Sequence, residues 1–327
     1  MGAIISSWGN RNLEWQKTID QNFGIDLAFL DNRLKLTVDY FYKNTDPLLV
    51  YVQLPSSTGT TQAPMNMGKQ VTKGTTMVLN GTVLRTEDIS WNLNFNMRHI
   101  TSEYRNIGNL LDKYNKENRS SNLTRFYDGG SPTDLWAVRS AGIDPASGRE
   151  VFIKKDGTQT FKFDYDDEVV VGNTEPKYEG VIGTSFYYKG FSVSVNLRYR
   201  WGGQIFMNTL YNKVENISEW ALKNNQDKRA LYDRWQKPGD VAKFKAISLT
   251  ETTPISSRFV KDENTLSGES ISIGYETQAA ALKKYGISSL TVRGYMNDIF
   301  RISTVKDERG LDYPFARSVS FSLGLTF

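Results

Sequence analysis

The chain has no cysteine, one histidine and no apolar run of about 18 residues. Without cysteine there can be no disulfide, no thiol nucleophile and no thiolate metal site, while no compartment is excluded. With His99 as the sole imidazole, a histidine-rich metal centre or a Ser-His-Asp triad has almost nothing to be built from. The missing apolar run excludes a transmembrane helix but not a membrane β-barrel, whose strands leave only a weak hydropathy signal. An excess of one charge is also lacking. The 40 basic and 36 acidic residues leave a net +4 with no block of like charge, so nucleic acid is not an expected partner. Met1 to Gly9 lack the basic-then-apolar order of a signal peptide, so export would be expected to require a segment ahead of Met1.

What is present is alternation. Hydrophobic residues make up only 39% of the 327, yet aromatics reach 13%, a balance typical of sheets with wet surfaces. From Val319 every second residue is apolar (Val319, Phe321, Leu323, Leu325, Phe327) and the residues between are small and polar (Ser320, Ser322, Gly324, Thr326). That predicts a strand with one apolar and one polar face. The same period marks Glu14–Leu30 and Arg33–Lys43 about the turn Asp31-Asn32, and Val71–Arg85 and Ile89–Thr101 about 86–88. It returns in Tyr178–Tyr188 and Phe191–Trp201 about Lys189-Gly190, and in Leu266–Tyr275 and Ile287–Asn297. The polar faces are sharpest at Asn92, Asn94, Asn96 and Arg98, and at Asn196, Arg198 and Arg200. The apolar faces are sharpest at Phe191, Val193, Val195 and Leu197, and at Phe321, Leu323, Leu325 and Phe327.

The links between these strands alternate short and long. The short ones are 31–32, 86–88, 189–190 and 279–286; the long ones are 45–67, 102–176, 202–265 and 299–316. In an up-and-down meander this places every short link at one rim and every long link at the other, as in outer-membrane barrels with tight periplasmic turns and large extracellular loops. A sandwich would mix them through Greek-key crossovers. The excursion 102–176, roughly seventy residues, is too long for a plain connection. A hairpin is expected there from Glu150 to Lys154, turned by Lys155-Asp156-Gly157. The second excursion is expected to hold a helix over Ile217–Trp235, closed by Pro238-Gly239. Rows of Asn, Ser and Arg cannot form a dry core at tolerable cost but suit a wide lumen. The expected fold is therefore all-β: an antiparallel up-and-down transmembrane β-barrel. The nine strands legible here would be the C-terminal strands of a large barrel of about 22. Residues 1–327 would form one barrel portion, with plug domain and early strands outside them.

Several stretches resemble the SusC/RagA group of TonB-dependent outer-membrane transporters of Bacteroidetes. They are Leu13-Glu14-Trp15-Gln16-Lys17-Thr18, Phe23-Gly24-Ile25-Asp26, Leu30-Asp31-Asn32-Arg33-Leu34, Asp39-Tyr40-Phe41-Tyr42-Lys43 and Asp46-Pro47-Leu48-Leu49. Ala141-Gly142-Ile143-Asp144 with Gly148, the stretch Tyr199 to Gly203, and Arg234-Trp235-Gln236-Lys237-Pro238-Gly239-Asp240 follow in family order. The closing Tyr313-Pro314, Arg317-Ser318 and Gly324-Leu325-Thr326-Phe327 complete the series. At Leu266-Ser267-Gly268-Glu269-Ser270 the chain departs from the family pattern. The resemblance implies a plugged barrel in the cell outer membrane. It implies a SusD-like surface lipoprotein over the outer loops, energy from TonB–ExbB–ExbD, and oligosaccharide or peptide as cargo.

Within that frame Phe191, Val193, Val195, Leu197, Phe321, Leu323, Leu325 and Phe327 are expected to face lipid. Asn92, Asn94, Asn96, Arg98, Asn196, Arg198 and Arg200 are expected to face the lumen. Tyr127, Trp136, Tyr211, Trp220 and Trp235 lie in or beside the long loops and could stack on sugar rings or peptide side chains; equally they could pack the loops or belt the bilayer. Trp201, at a strand end, and His99 fit the interfacial belt. The run Asp164 to Glu168 has oxygen ligands for calcium but lacks the spacing of an EF-hand, so a solvated loop is expected. No metal, no cofactor and no enzymatic activity are expected, since no motif selects a catalytic carboxylate pair. The alternative is a secreted soluble all-β glycan-binding module with aromatic loops.

Overall fold

The computed structural model describes residues 9–306 and 317–327, apart from positions 55, 61 and 110. The first alternating stretch forms β1 (Lys17–Phe29), and β2 (Leu34–Asp46) folds back on it. The turn between them holds Leu30, Asp31 and Asn32 at positive φ, which Asn and Asp tolerate better than other side chains. The long link 47–68 carries a small hairpin, β3 (Leu49–Gln53) with β4 (Gln62–Asn66). The strands β5 (Lys69–Arg85) and β6 (Ile89–Arg105) follow.

The first excursion contains α1 (Asp112–Asn118), β7 (Asp134–Ile143), β8 (Glu150–Ile153), β9 (Gln159–Thr160) and β10 (Glu168–Asn173). The last four form a separate sheet in the order β10-β7-β8-β9, and the hairpin expected from Glu150 is β8–β9, with Gly157 at φ +88 in its turn. The main series resumes with β11 (Tyr178–Tyr188) and β12 (Phe191–Phe206). After the second excursion come β13 (Val260–Thr277), the single turn α2 (Ala280–Lys283), β14 (Ser289–Ser303) and β15 (Val319–Thr326).

The nine long strands make one antiparallel sheet in the order β1-β2-β5-β6-β11-β12-β13-β14-β15. The chain meanders through it with short links at one end and long links at the other. The closing loop and its Tyr313-Pro314 fall partly on 307–316, outside the described residues.

The expected helix over Ile217–Trp235 is absent. The chain there makes 3-10 turns at Ala221–Lys223 and Lys228–Leu231, preceded by a π-helical turn at Leu210–Glu215. Asn224, Asn225 and Asp227 are weak helix formers, and the Asp227 carboxylate accepts from the Arg229 amide, closing a turn instead. The Arg234 guanidinium then takes the carbonyls of Ala230, Lys245 and Glu215, fixing the segment by tertiary bonds.

Packing follows an unusual division. Among the buried hydrophobic side chains described, Val71, Tyr104 and Tyr199 belong to the nine-stranded sheet and all others lie in the connections. Three apolar clusters gather there: around Leu48 and Ile107, around Leu135 and Ile255, and around Val214 and Phe259. The folded core is a layer of loops at the end of the sheet where the long links gather, and among the described residues no second layer covers either sheet face.

Candidate functional site

Cross-strand register decides which side chains share a face, because directly paired residues point the same way. Phe191, Val193 and Val195 pair with Tyr275, Ile273 and Ile271, and Leu325, Leu323 and Phe321 pair with Leu290, Val292 and Gly294. One face is thus apolar from strand to strand and open: Phe191 is 56% exposed and Phe321 80%. Phe327 lies one residue beyond β15 and is exposed.

The opposite face carries Asn94, paired with Gly183, which pairs in turn with Asn196. Asn92 accepts from the Thr82 hydroxyl at 2.9 Å, and the Asn96 side chain accepts from the Val181 amide at 2.8 Å. Towards the long-link end this face becomes charged. Arg98 bonds Glu179 and lies 3.4 Å from Glu175, and Glu179 is 3.4 Å from Arg200. Arg198 bonds Glu269, and Arg301 bonds Glu263 at 2.8 Å. Glu269 reaches Arg198 because β13 bulges between Gly268 and Ser270. The stretch Leu266 to Ser270, which departs from the family pattern, holds that bulge. These pairs are part-exposed, so each adds little stability; together they set a band of balanced charge across β6, β11, β12, β13 and β14.

The loop layer is held by buried ions. Arg125 donates to Glu168 at 3.1 and 2.5 Å. Arg258 bridges Glu150 at 3.0 Å and Glu215 at 2.7 Å, and the Ser256 and Thr253 hydroxyls complete the two carboxylates. Burial opposes the Arg258 charge, but its bonds to Glu215 and Glu150 outweigh that and hold its pKa above the ordinary value. Glu150 belongs to the first excursion and Glu215 to the second, so this network joins them. The acidic run is consumed in the same way: Asp164 caps the Asp166 amide, Asp166 pairs with Arg119, and Asp167 accepts from the Lys155 amide.

The five loop aromatics separate. Tyr127 and Trp136 touch each other, tilted by 54° with centroids 5.0 Å apart. Tyr211 is half-buried against Phe206 and Phe259, donates to the Thr253 carbonyl at 2.9 Å, and has its pKa raised by burial. Trp235 lies over Gly148 and donates to the Pro145 carbonyl at 2.8 Å. Trp220 is 72% exposed and, among the described residues, makes no ring contact with the other four. Trp201 is half-exposed and tilted against Tyr199, and His99 Nδ1 lies 2.6 Å from the Lys177 carbonyl.

Two cavities open in or beside the loop layer. One, about 550 Å³, lies at the strand ends, and its Ser131, Thr133, Asp134, Asn173 and Gln204 hydrogen-bond one another. The other, about 580 Å³, lies between 147–163 and 245–254 and is walled by Phe152, Phe161 and Phe163 with Arg149 and Lys245. Sequence reasoning passed over these residues because it weighed Trp and Tyr. The visible signal was the alternation Phe161, Phe163, Tyr165. Among the described residues no group of acidic and histidine side chains forms a metal site.

Comparison with known proteins matches residues 1–236 to the family described as TonB dependent receptor-like, beta-barrel. The TonB-dependent receptor SusC of Bacteroides thetaiotaomicron is 25% identical over 97% of this chain and 32% of its own length. A TonB-dependent receptor of Formosa agariphila is 24% identical over 89% of this chain and 32% of its own. The chain thus spans about a third of the curated relatives it matches. Among solved structures the RagAB peptide transporter superposes with a TM-score of 0.78 at 20% identity, over 92% of this chain and 33% of that one.

Proposed function

From a chain that belongs to the TonB dependent receptor-like β-barrel family of the outer membrane, we propose that the nine-stranded sheet is wall in a SusC-like importer of oligosaccharides or peptides. The apolar face contacts lipid: Phe191, Val193, Val195, Leu197, Phe321, Leu323, Leu325 and Phe327. The polar face, with Asn92, Asn94, Asn96, Arg98, Asn196, Arg198 and Arg200, lines the lumen. The loop layer stands outside the cell and meets a SusD-like lipoprotein and the cargo. A plug domain coupled to TonB–ExbB–ExbD gates the path.

One observation carries the reading: both faces of the long sheet are uncovered while the loops own the packed core. A soluble sheet of this length would have to cover its apolar face; hydrocarbon does so at no cost. Grooves on that face, over Gly81 and over Gly294, have volumes of about 500 and 440 Å³ and apolar walls suited to acyl chains. The soluble glycan-binding alternative has no comparable support.

The test is refolding of the full-length protein into bilayers. Val195→Arg or Leu197→Arg is expected to cost about 2–4 kcal/mol at mid-bilayer depth, whereas Ser194→Arg or Asn196→Arg is tolerated. The opposite order of costs rejects the assignment of faces.

A further inference from the structure

The cavity between 147–163 and 245–254 has features that the wall reading leaves unused. Its volume, about 580 Å³, lies in the range of sites that enclose small ligands. Its floor is rigid and chemically committed, since Glu150 is taken up by Arg258 and Ser256. Its aromatic rings pack on neighbours edge to face: Phe152 meets Phe163 at 74°, and Phe163 meets Tyr165, outside the lining, at 87°. The one outward ring, Phe161, is covered by the Arg149 guanidinium at 4.9 Å. A sugar ring stacks on an open flat face, and on Phe161 the guanidinium takes one of the two.

Two cations border this apolar space. Among the described residues Arg149 and Lys245 form no ion pair, unlike Arg119, Arg125, Lys243 and Arg258 nearby. Two carboxylates share the lining, Glu150 and Glu251; Glu150 is taken up by Arg258 and Ser256, so among the described residues Arg149 and Lys245 stand beside one carboxylate, Glu251, that forms no ion pair. Beside Lys245 the main chain of Ala246 and Ile247 has no regular structure and makes no hydrogen bond to another described residue. Main chain with free donors and acceptors can pair with a bound peptide.

We propose that this cavity binds a peptide. A carboxylate of the peptide pairs with Arg149 and Lys245, an apolar side chain enters among Phe152, Phe161 and Phe163, and the peptide backbone runs along 246–247. The peptide is cargo only if the chain serves an importer, as proposed above; its binding does not depend on transport.

The experiment uses the full-length protein in detergent and isothermal titration with three probes. They are the tetrapeptide Ala-Phe-Ala-Glu, its amidated Gln counterpart, and maltohexaose. The acidic peptide is expected to bind most tightly, with an affinity that falls as sodium chloride rises. The neutral peptide should bind about tenfold or more weakly, as loss of charge-assisted hydrogen bonds implies. Arg149→Gln with Lys245→Gln should weaken the acidic peptide by a similar factor, and Phe161→Ala should weaken both peptides. Arg149 and Phe161 are exposed, and Lys245 is half-buried but forms no ion pair among the described residues, so the melting of these variants should stay close to the parent's. Maltohexaose binding more tightly than the acidic peptide, or an unchanged affinity in the double variant, overturns the proposal. Lost peptide binding with the Val195→Arg and Asn196→Arg pattern intact removes the site and leaves the importer. Peptide binding without cellular uptake leaves the site and removes the importer.

Discussion

At the residue scale, close backbone approach accounts for glycines that alternation alone would not select. A Cβ on Gly180 would lie 1.9 Å from the Asn96 carbonyl oxygen and 2.9 Å from the Tyr199 hydroxyl. Tyr199, nearly fully buried, fills the space above Gly180, donates to the Asn96 carbonyl at 3.0 Å and stacks on Phe95. Gly180→Ala is expected to destabilise by about 1–3 kcal/mol through overpacking, read as a shifted urea midpoint in vesicles. Arg125 makes a second prediction. Its removal as Arg125→Met leaves Glu168 with only the more distant Arg119, at 3.7 Å, and should cost about 3 kcal/mol; adding Glu168→Met should recover part of that. Asp144 makes a third. The Ser147 hydroxyl, against a smaller opposing effect of burial and with help from the Ala146 and Ser147 amides, holds its carboxyl below the usual range. A depressed folded-state value contributes stability above the unfolded value, near about 3.9, and loses it as pH falls through the folded value. Trp235 fluorescence should therefore report loosening of turn 144–148 in acid, and Asp144→Asn should abolish that acid dependence.

At the element scale, two stretches that resemble the SusC/RagA group separately prove to be one contact. Trp235 lies on Gly148, which has φ +68, and the Gly239 amide donates to the Pro145 carbonyl at 2.8 Å. The stretch Arg234 to Asp240 therefore clasps the turn Asp144 to Gly148. Trp235→Ala is expected to raise hydrogen exchange over 144–148 and 234–240 while leaving the nine strands unchanged, because among the described residues the layer and the sheet do not share that contact. The strands were legible and Ile217–Trp235 was not, for the same reason. A strand face is read by a local period of two, whereas this segment takes its shape from Asp227 capping and from Arg234 reaching residues 215 and 245.

At the scale of the whole molecule, the absence of cysteine becomes an experimental asset. Single cysteines placed by Val193→Cys, Ser194→Cys, Val195→Cys and Asn196→Cys have no background thiol. In proteoliposomes a water-soluble maleimide should label positions 194 and 196 and spare 193 and 195. Uniform labelling would contradict lipid on the apolar face. Both outer strands of the sheet, β1 and β15, pair on one side only among the described residues, and an uncovered edge recruits further strands. This agrees with a chain that spans about a third of its relatives.

The period of two along Phe191 to Trp201 and Val319 to Phe327, with the sorted short and long links, was enough to determine strand order, antiparallel pairing and which side chains share a face. These depend on neighbours in sequence and on turn length, which a linear chain records directly. What only the tertiary structure decided was the loop layer: the Arg258 bridge between Glu150 and Glu215, the Trp235 clasp, the bulge that carries Glu269 to Arg198, and the phenylalanine cavity bordered by Arg149 and Lys245. Each joins residues far apart in the chain with no repeating period to announce them, and burial and charge pairing in three dimensions selected the partners.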